Sequence, residues 1–202
     1  MDYLKTLDYF DENGEKRRRK PNPNKLEEIV DLKYHDKVLL DNWNSVVRTG
    51  DTVYHLGDFG FGINEYFLRR LNGNIVLLKG NHDKGIEKYS RYFQHLWAEA
   101  PLNRGVTIEG EKVVLNHYPM LSWKGSYYSL FGEGPTHLFG HIHSDGTYNL
   151  EGPFIKHPAS CDVGVDAWNY TPTNLEAIKE RISNQKKMFF EKFPNFLAKN
   201  ID

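Results

Sequence analysis

The chain has 202 residues, of which 39% are hydrophobic, 14% aromatic and 26% charged, with 17 Gly and 9 Pro. That length suits a single domain with a real core, and the composition excludes a disordered, collagenous or disulfide-rich chain. Lys plus Arg number 26 against 27 Asp plus Glu, a formal net charge of −1, so no whole-protein field draws the chain to nucleic acid or to an anionic membrane. A lone cysteine, Cys161, supplies neither an internal disulfide nor a cysteine-based zinc site. Met1–Lys5 lacks the apolar core of a secretory signal, and no run nears the ~18 apolar residues of a membrane helix, so a protein of the reducing cytoplasm is expected.

In chain order, residues 1–24 are rich in charge and poor in aliphatics, and hold Lys16-Arg17-Arg18-Arg19-Lys20 followed by Pro21-Asn22-Pro23-Asn24. This stretch is expected to be an exposed excursion; the basic run could also grip phosphates. After Asn24, a candidate N-cap, helix is expected from Lys25 to near Val47, because Val38, Leu39, Trp43, Val46 and Val47 keep helical spacing up to the Thr49-Gly50-Asp51 turn. Short apolar runs then alternate with turns. Thr52–Leu56, Ile75–Leu78, Val106–Ile108, Lys112–Leu115, His137–Phe139 and Asp162–Val165 are expected strands, with a hairpin at Glu109-Gly110-Glu111. Helices are expected at Asn64–Leu71, at Lys84–Leu96, and after Thr171-Pro172-Thr173, the last with Leu175, Ile178 and Ile182 on one face and Pro194 as its breaker. Strands joined both by helices and by hairpins imply mixed sheets covered by helices.

The histidines carry the chemistry through their grouping. His55, His82, His117, His137, His141 and His143 lie at or beside the ends of the apolar runs, where a rigid sheet positions functional loops. Gly57-Asp58 closes the first strand of this set, Gly80-Asn81-His82-Asp83 the second, Asn116-His117 closes Lys112–Leu115, and Gly140-His141-Ile142-His143 closes His137–Phe139. On an extended segment His141 and His143 would point the same way with Cα atoms ~6.6 Å apart at most. They could then flank two ions ~3.5–4 Å apart, the spacing of two-metal hydrolytic sites. Glycine before each ligand would relieve crowding by backbone, metal and substrate. His35 and His95 fall in expected helices as surface residues, and His157 in a loop, with a supporting role beside a metal ligand open. Trp123 is either a pocket wall or packing, and Asp83 either orients His82 or belongs to an ordinary turn.

Taken in order, His55-Leu56-Gly57-Asp58, Gly80-Asn81-His82-Asp83, His117-Tyr118-Pro119 and Gly140-His141-Ile142-His143 resemble the motifs of the calcineurin-like metallophosphoesterases. They are most similar to the small bacterial and phage-type branch, as are Trp43-Asn44, the Tyr54–Asp58 run and Val163-Gly164-Val165-Asp166, so that the likeness covers about Asp36 to Ile178. The resemblance implies one domain over residues 1–202, a four-layer α/β/β/α sandwich of two mixed sheets, and a dinuclear metal centre at the strand ends. Carried over residue by residue, it makes Asp58 the carboxylate bridging both metals. Asn81, His117 and His141 would complete one metal site, and His143 would serve the other. His82 would stay off the metals and stabilise the transition state or protonate the leaving oxygen. Imidazole, carboxylate and amide-carbonyl ligands suit Mn, Fe, Zn, Co or Ni better than Mg or Ca. The implied reaction is hydrolysis of a phosphomonoester or phosphodiester, in a small molecule or nucleotide, by a metal-bound hydroxide with no side-chain nucleophile.

The sequence departs from the family in one motif. No Asp-any-His, the family's first motif and the source of two further ligands to the metal of His143, occurs in the 202 residues; Asp31-Leu32-Lys33-Tyr34-His35 has the wrong spacing. The resemblance therefore implies a chain that starts just after a first strand bearing that motif, through a misplaced start or a shortened gene product. The alternative is a non-catalytic metal- or ligand-binding protein that kept the fold and lost the first metal site. A nucleic-acid partner is suggested by Lys16–Lys20 alone, and no motif speaks to oligomeric state.

Overall fold

The computed structural model describes residues 7–10, 16–19, 26–60, 65–98, 104–144 and 156–198. The chain falls into two compact units, Met1–Trp97 and Ala98–Asp202. In the first, β1 (Leu7–Phe10) and β2 (Lys16–Arg19) form an antiparallel hairpin with Leu7 opposite Arg19 and Phe10 opposite Lys16. Most of the basic run is thus strand, paired with a segment whose Tyr9 and Phe10 favour β structure. Lys20 to Asn24, and with them the candidate N-cap, lie outside the described residues.

The helix α1 spans Leu26–Val46. Its C-terminal turn is tied to the loop that precedes the strand Asn74–Leu78: Trp43 Nε1 donates to Asn72 O (2.9 Å), Asn44 Nδ2 to Arg70 O (2.8 Å), and Asn72 N to Asn44 Oδ1 (2.9 Å). Three parallel strands follow, β3 (Thr52–His55), β4 (Asn74–Leu78) and β5 (His95–Trp97), in the order β3-β4-β5. Central β4 buries Ile75, Val76, Leu77 and Leu78 without alternation, as a strand covered on both faces must. Trp43, Val47, Phe59, Leu68, Ile75, Leu77, Ile86 and Phe93 form the core of this unit, Leu68 coming from the short helix α2 (Glu65–Leu68).

Two expectations fail here. Lys84–Leu96 is not a helix: a 3₁₀ helix covers Ile86–Tyr92, and His95 lies in β5. The free edge of β4 decides this, since its backbone groups need partners, and Gln94 N donates to Ile75 O (2.8 Å) while Lys79 N donates to Trp97 O (3.0 Å). Among the described residues this sheet is also purely parallel, where a mixed one was expected.

The second unit holds the mixed sheet, β6 (Arg104–Ile108), β7 (Glu111–Leu115), β8 (Thr136–Phe139) and β9 (Ser160–Asp162), in the order β6-β7-β8-β9. The expected hairpin joins β6 to β7 through Glu109 (φ 49°) and Gly110 (φ 84°), two left-handed residues as a tight hairpin turn requires. The remaining pairs are parallel. A short helix α3 (Ser126–Leu130), not anticipated from the sequence, follows β7. The long helix α4 (Leu175–Lys192) starts where Asn174 Oδ1 caps Ala177 N (2.9 Å) and ends just before Pro194, beyond which α5 (Asn195–Ala198) follows. It packs on β9, and the buried Gln185 amide donates to Pro158 O and Ser160 O. Strand β9 ends at Asp162 instead of running to Val165, because the Asp162 carboxylate turns the chain by accepting from Gly164 N (2.9 Å), and Val165 opens a 3₁₀ helix, Val165–Trp168. Among the described residues no helix is long and apolar enough to cross a membrane.

Candidate metal centre

Parallel strands deliver their carboxyl ends to one edge, and in both units those ends carry the residues singled out above. In the first unit the turn after β3 runs through Gly57 (φ 99°) and Asp58 (φ 54°). A left-handed aspartate is an uncommon conformation that the surrounding structure must hold. Asp83, 2% exposed, provides the hold: its carboxylate accepts from Asp58 N (2.8 Å), Phe59 N (2.7 Å) and Gly80 N (2.8 Å). It thereby ties the loop after β3 to the loop after β4. Burial pushes the Asp83 carboxyl above its usual range and the neighbouring Asp58 charge adds to this, while the three N–H donors oppose it. Asp58 Oδ1 in turn accepts from the backbone N–H of exposed His82 (2.8 Å). Asp83 thus acts on two loops and on Asp58, not on the His82 ring as one reading of the sequence had it. Asn81 is half-buried beside His82, and His55 Nδ1 accepts from Gly57 N (3.2 Å).

In the second unit His117 follows β7, and His141 and His143 follow β8. His117 is buried and His141 exposed, with His117 Nε2 3.2 Å from His141 Nδ1. Two nitrogens each 2.0–2.1 Å from one tetrahedral ion would be separated by ~3.3 Å. The pair therefore fits a shared metal ion. The Tyr118 ring packs edge-on against both imidazoles, with centroids at 4.8 and 4.7 Å. His143 goes elsewhere: its Nδ1 lies 2.6 Å from Asp166 Oδ2.

The expected extended geometry of Gly140–His143 is overturned. His141 (φ 68°) and His143 (φ 47°) are both left-handed, and Ile142 N bonds back to Gly140 O (2.8 Å). A turn this tight sends the two imidazoles to different partners instead of one side. Among the described residues, a side-chain Cβ at Gly140 would meet nothing within 4 Å.

The other histidines separate cleanly by environment. His137 is fully buried, its Nδ1 against Val114 O (3.1 Å) and its Nε2 accepting from Met120 N (3.2 Å), so it is a neutral core residue and no ligand. Burial lowers its pKa to about 4 and, with Lys186 nearby, that of His157 to about 4 as well. Trp123 is 4% exposed, packs on both rings and donates from Nε1 to Pro135 O (2.7 Å), which makes it a packing residue. His35 lies in α1 as expected, whereas His95 is in a strand. Sequence reasoning missed the partnership of Asp166 with His143, whose only sequence signal was the Val163–Asp166 run.

No protein-family model matches the chain. It is 29% identical over 168 residues to the gene 66 protein of Mycobacterium phage L5, covering 68% of this chain and 76% of that protein. The crystal structure of AQ665, a protein of unknown function from Aquifex aeolicus, superposes with a TM-score of 0.52 at 25% identity, over 77% of this chain and 92% of that one. A novel archaeal phosphodiesterase reaches a TM-score of 0.37 at 18% identity, over 68% and 78% of the two chains. The uncharacterized protein MJ1445 of Methanocaldococcus jannaschii is 35% identical over 157 residues, 75% of this chain and 77% of that protein. At that identity and coverage, this chain belongs to the family of MJ1445.

Proposed function

We propose that this protein is a calcineurin-like metallophosphoesterase, one α/β/β/α domain over residues 1–202, that hydrolyses a phosphomonoester or phosphodiester of a small molecule or nucleotide in the cytoplasm. The observation that carries the reading is the 3.2 Å separation of His117 Nε2 and His141 Nδ1, the spacing of two ligands on a single ion. His117 and His141 offer two imidazole donors in the second unit, and Asp58 and Asn81 offer a carboxylate and an amide carbonyl in the first, the residue types that the metallophosphoesterase resemblance makes metal ligands, with His143 serving a second ion. Mn, Fe, Zn, Co or Ni suit these donors. Bound ions of this kind lower the pKa of water and polarise a phosphoryl oxygen. Left-handed backbone at Asp58, His141 and His143 supports the same reading, since strain of this kind gathers at functional sites.

The chain's own residues have separable tasks. Asp83 holds the Asp58 turn, the backbone N–H of His82 orients the Asp58 carboxylate, and the exposed His82 ring gives a proton to the leaving oxygen of a substrate. A second reading, a metal-binding protein without turnover, is favoured by the missing Asp-any-His motif. Metal content by elemental analysis, together with hydrolysis of an aryl phosphate monoester and diester across the five metals, separates the two. The phosphoesterase reading expects metal and turnover in the wild type, and neither in His117→Ala or His141→Ala. Metal uptake without turnover selects the second reading, and metal retained in full by both variants overturns both.

A further inference from the structure

We propose that Asp166 is a positioning residue for His143: it accepts the Nδ1 proton, so that in the neutral ring the lone pair sits on Nε2, the atom that would take a metal ion. That last clause rests on the reading of His143 as a ligand; the pairing itself does not. His143 Nδ1 and Asp166 Oδ2 are 2.6 Å apart, with side chains 29% and 16% exposed. An imidazole nitrogen this close to a carboxylate must carry the proton, because two acceptors at that distance would repel. Neutral imidazole has one proton, so with Nδ1 protonated the lone pair sits on Nε2. Asp166 Oδ1 is buried without a hydrogen-bond partner among the described residues. The carboxylate is thus committed to His143.

The carrier of Asp166 is built to hold position. Asp162, four residues earlier, fixes the residue after His143: Ser144 Oγ donates to Asp162 Oδ2, whose companion Oδ1 accepts from Gly164 N (2.9 Å). A Cβ at Gly164 would sit 3.1 Å from Asp162 Oδ1, a tight approach that glycine avoids. Trp168, at the end of the same 3₁₀ helix, donates from Nε1 to Asp162 O (2.9 Å). The Arg181 guanidinium, from α4, covers the Trp168 ring at 3.4 Å and donates to Ala167 O (3.0 Å). Two carboxylates on one braced turn therefore grip two consecutive residues, His143 and Ser144. Because His143 is itself left-handed (φ 47°), the grip also holds a backbone conformation that a free loop would leave.

Long-range ¹H–¹⁵N correlation of the imidazoles in the full-length, metal-free protein at pH 7.5, assigned with His143→Gln, reads the tautomer directly. The expected result is a wild-type ring protonated at Nδ1 and never at Nε2 alone, the same in Asp166→Asn, whose amide oxygen still accepts, and loss of the fixed Nδ1 proton in Asp166→Ala. Titration with Zn²⁺ and Mn²⁺ should then show the affinity of the His143 site weakened by roughly 10–100-fold in Asp166→Ala and less in Asp166→Asn, with the His117–His141 site still filled. A wild-type His143 protonated at Nε2 and not at Nδ1, or a His143 site that takes up metal as tightly in Asp166→Ala as in a metal-binding wild type, overturns the proposal. Should Asp166→Ala not fold, the wild-type and Asp166→Asn spectra still decide. A fixed Nδ1–H tautomer in a chain that takes up no metal would sink the phosphoesterase reading and leave the pairing intact.

Discussion

Replacing Asp83 by alanine removes the acceptor of three backbone N–H groups, those of Asp58, Phe59 and Gly80, at 2.8, 2.7 and 2.8 Å. Phe59 and Gly80 are buried and Asp58 half-buried, so water does not freely replace the lost carboxylate. Each buried donor left unmet costs about 1–3 kcal/mol. Against this, the variant no longer buries a carboxylate, whose cost shows in the upward push on its pKa. The net expectation is a loss of roughly 3–5 kcal/mol, a size typical of breaking a buried hydrogen-bond network. Asp83→Asn keeps one acceptor oxygen and should lose about half as much. Urea unfolding followed by circular dichroism, with an unchanged m-value, measures both. At 2–4 °C per kcal/mol for a chain of this size, the alanine variant should also melt roughly 6–20 °C lower. A loss below about 1 kcal/mol for Asp83→Ala would refute the argument that this carboxylate ties the two loops together.

His82→Ala should keep the metal content nearly unchanged and lower turnover by roughly 10²–10⁴-fold, because it removes a proton donor and no ligand, whereas Asp58→Ala should lose metal and activity together; a metal-free His82→Ala protein would reverse the assignment. Acid should destabilise the second unit early. His137 and His157 have folded pKa values of about 4 against an ordinary 6.5, so between pH 6.5 and 4 the unfolded chain binds more protons and stability falls as pH is lowered, by roughly 1.4 kcal/mol per unit from the buried His137 and by less from the half-buried His157, which water screens. Urea midpoints at pH 7.5 and 5 check this, and equal midpoints contradict it. Gly134→Ala places a Cβ 2.3 Å from Gly125 O and 2.5 Å from Ser129 N, backbone atoms that cannot rotate away, and should cost roughly 2–3 kcal/mol in thermal unfolding; a melting temperature within error of wild type would show that this turn adjusts.

The residues at the strand ends were legible because two local signals coincide there. Short apolar runs such as Ile75–Leu78 and Lys112–Leu115 mark buried strands, and a polar, glycine-bearing cluster after each marks where the chain leaves the sheet, so Asp58, Asn81, His117 and His141 could be placed without coordinates. The long α4 and its stop at Pro194 were legible for the same reason, helical spacing plus a residue that cannot continue it. What depends on groups distant in sequence was not legible. His95–Trp97 reads as the end of a helix until the open edge of β4 recruits it, and the choice is made by hydrogen bonds to Ile75 and Lys79 that no local propensity contains. Asp83 reads as a turn residue until its carboxylate meets Asp58 and Phe59 from another loop, and Asp166 reads as part of an unassigned motif until it meets His143. The left-handed backbone of Asp58, His141 and His143 belongs to the same class. Local sterics disfavour it for these residues, so tertiary contacts alone decide that they adopt it.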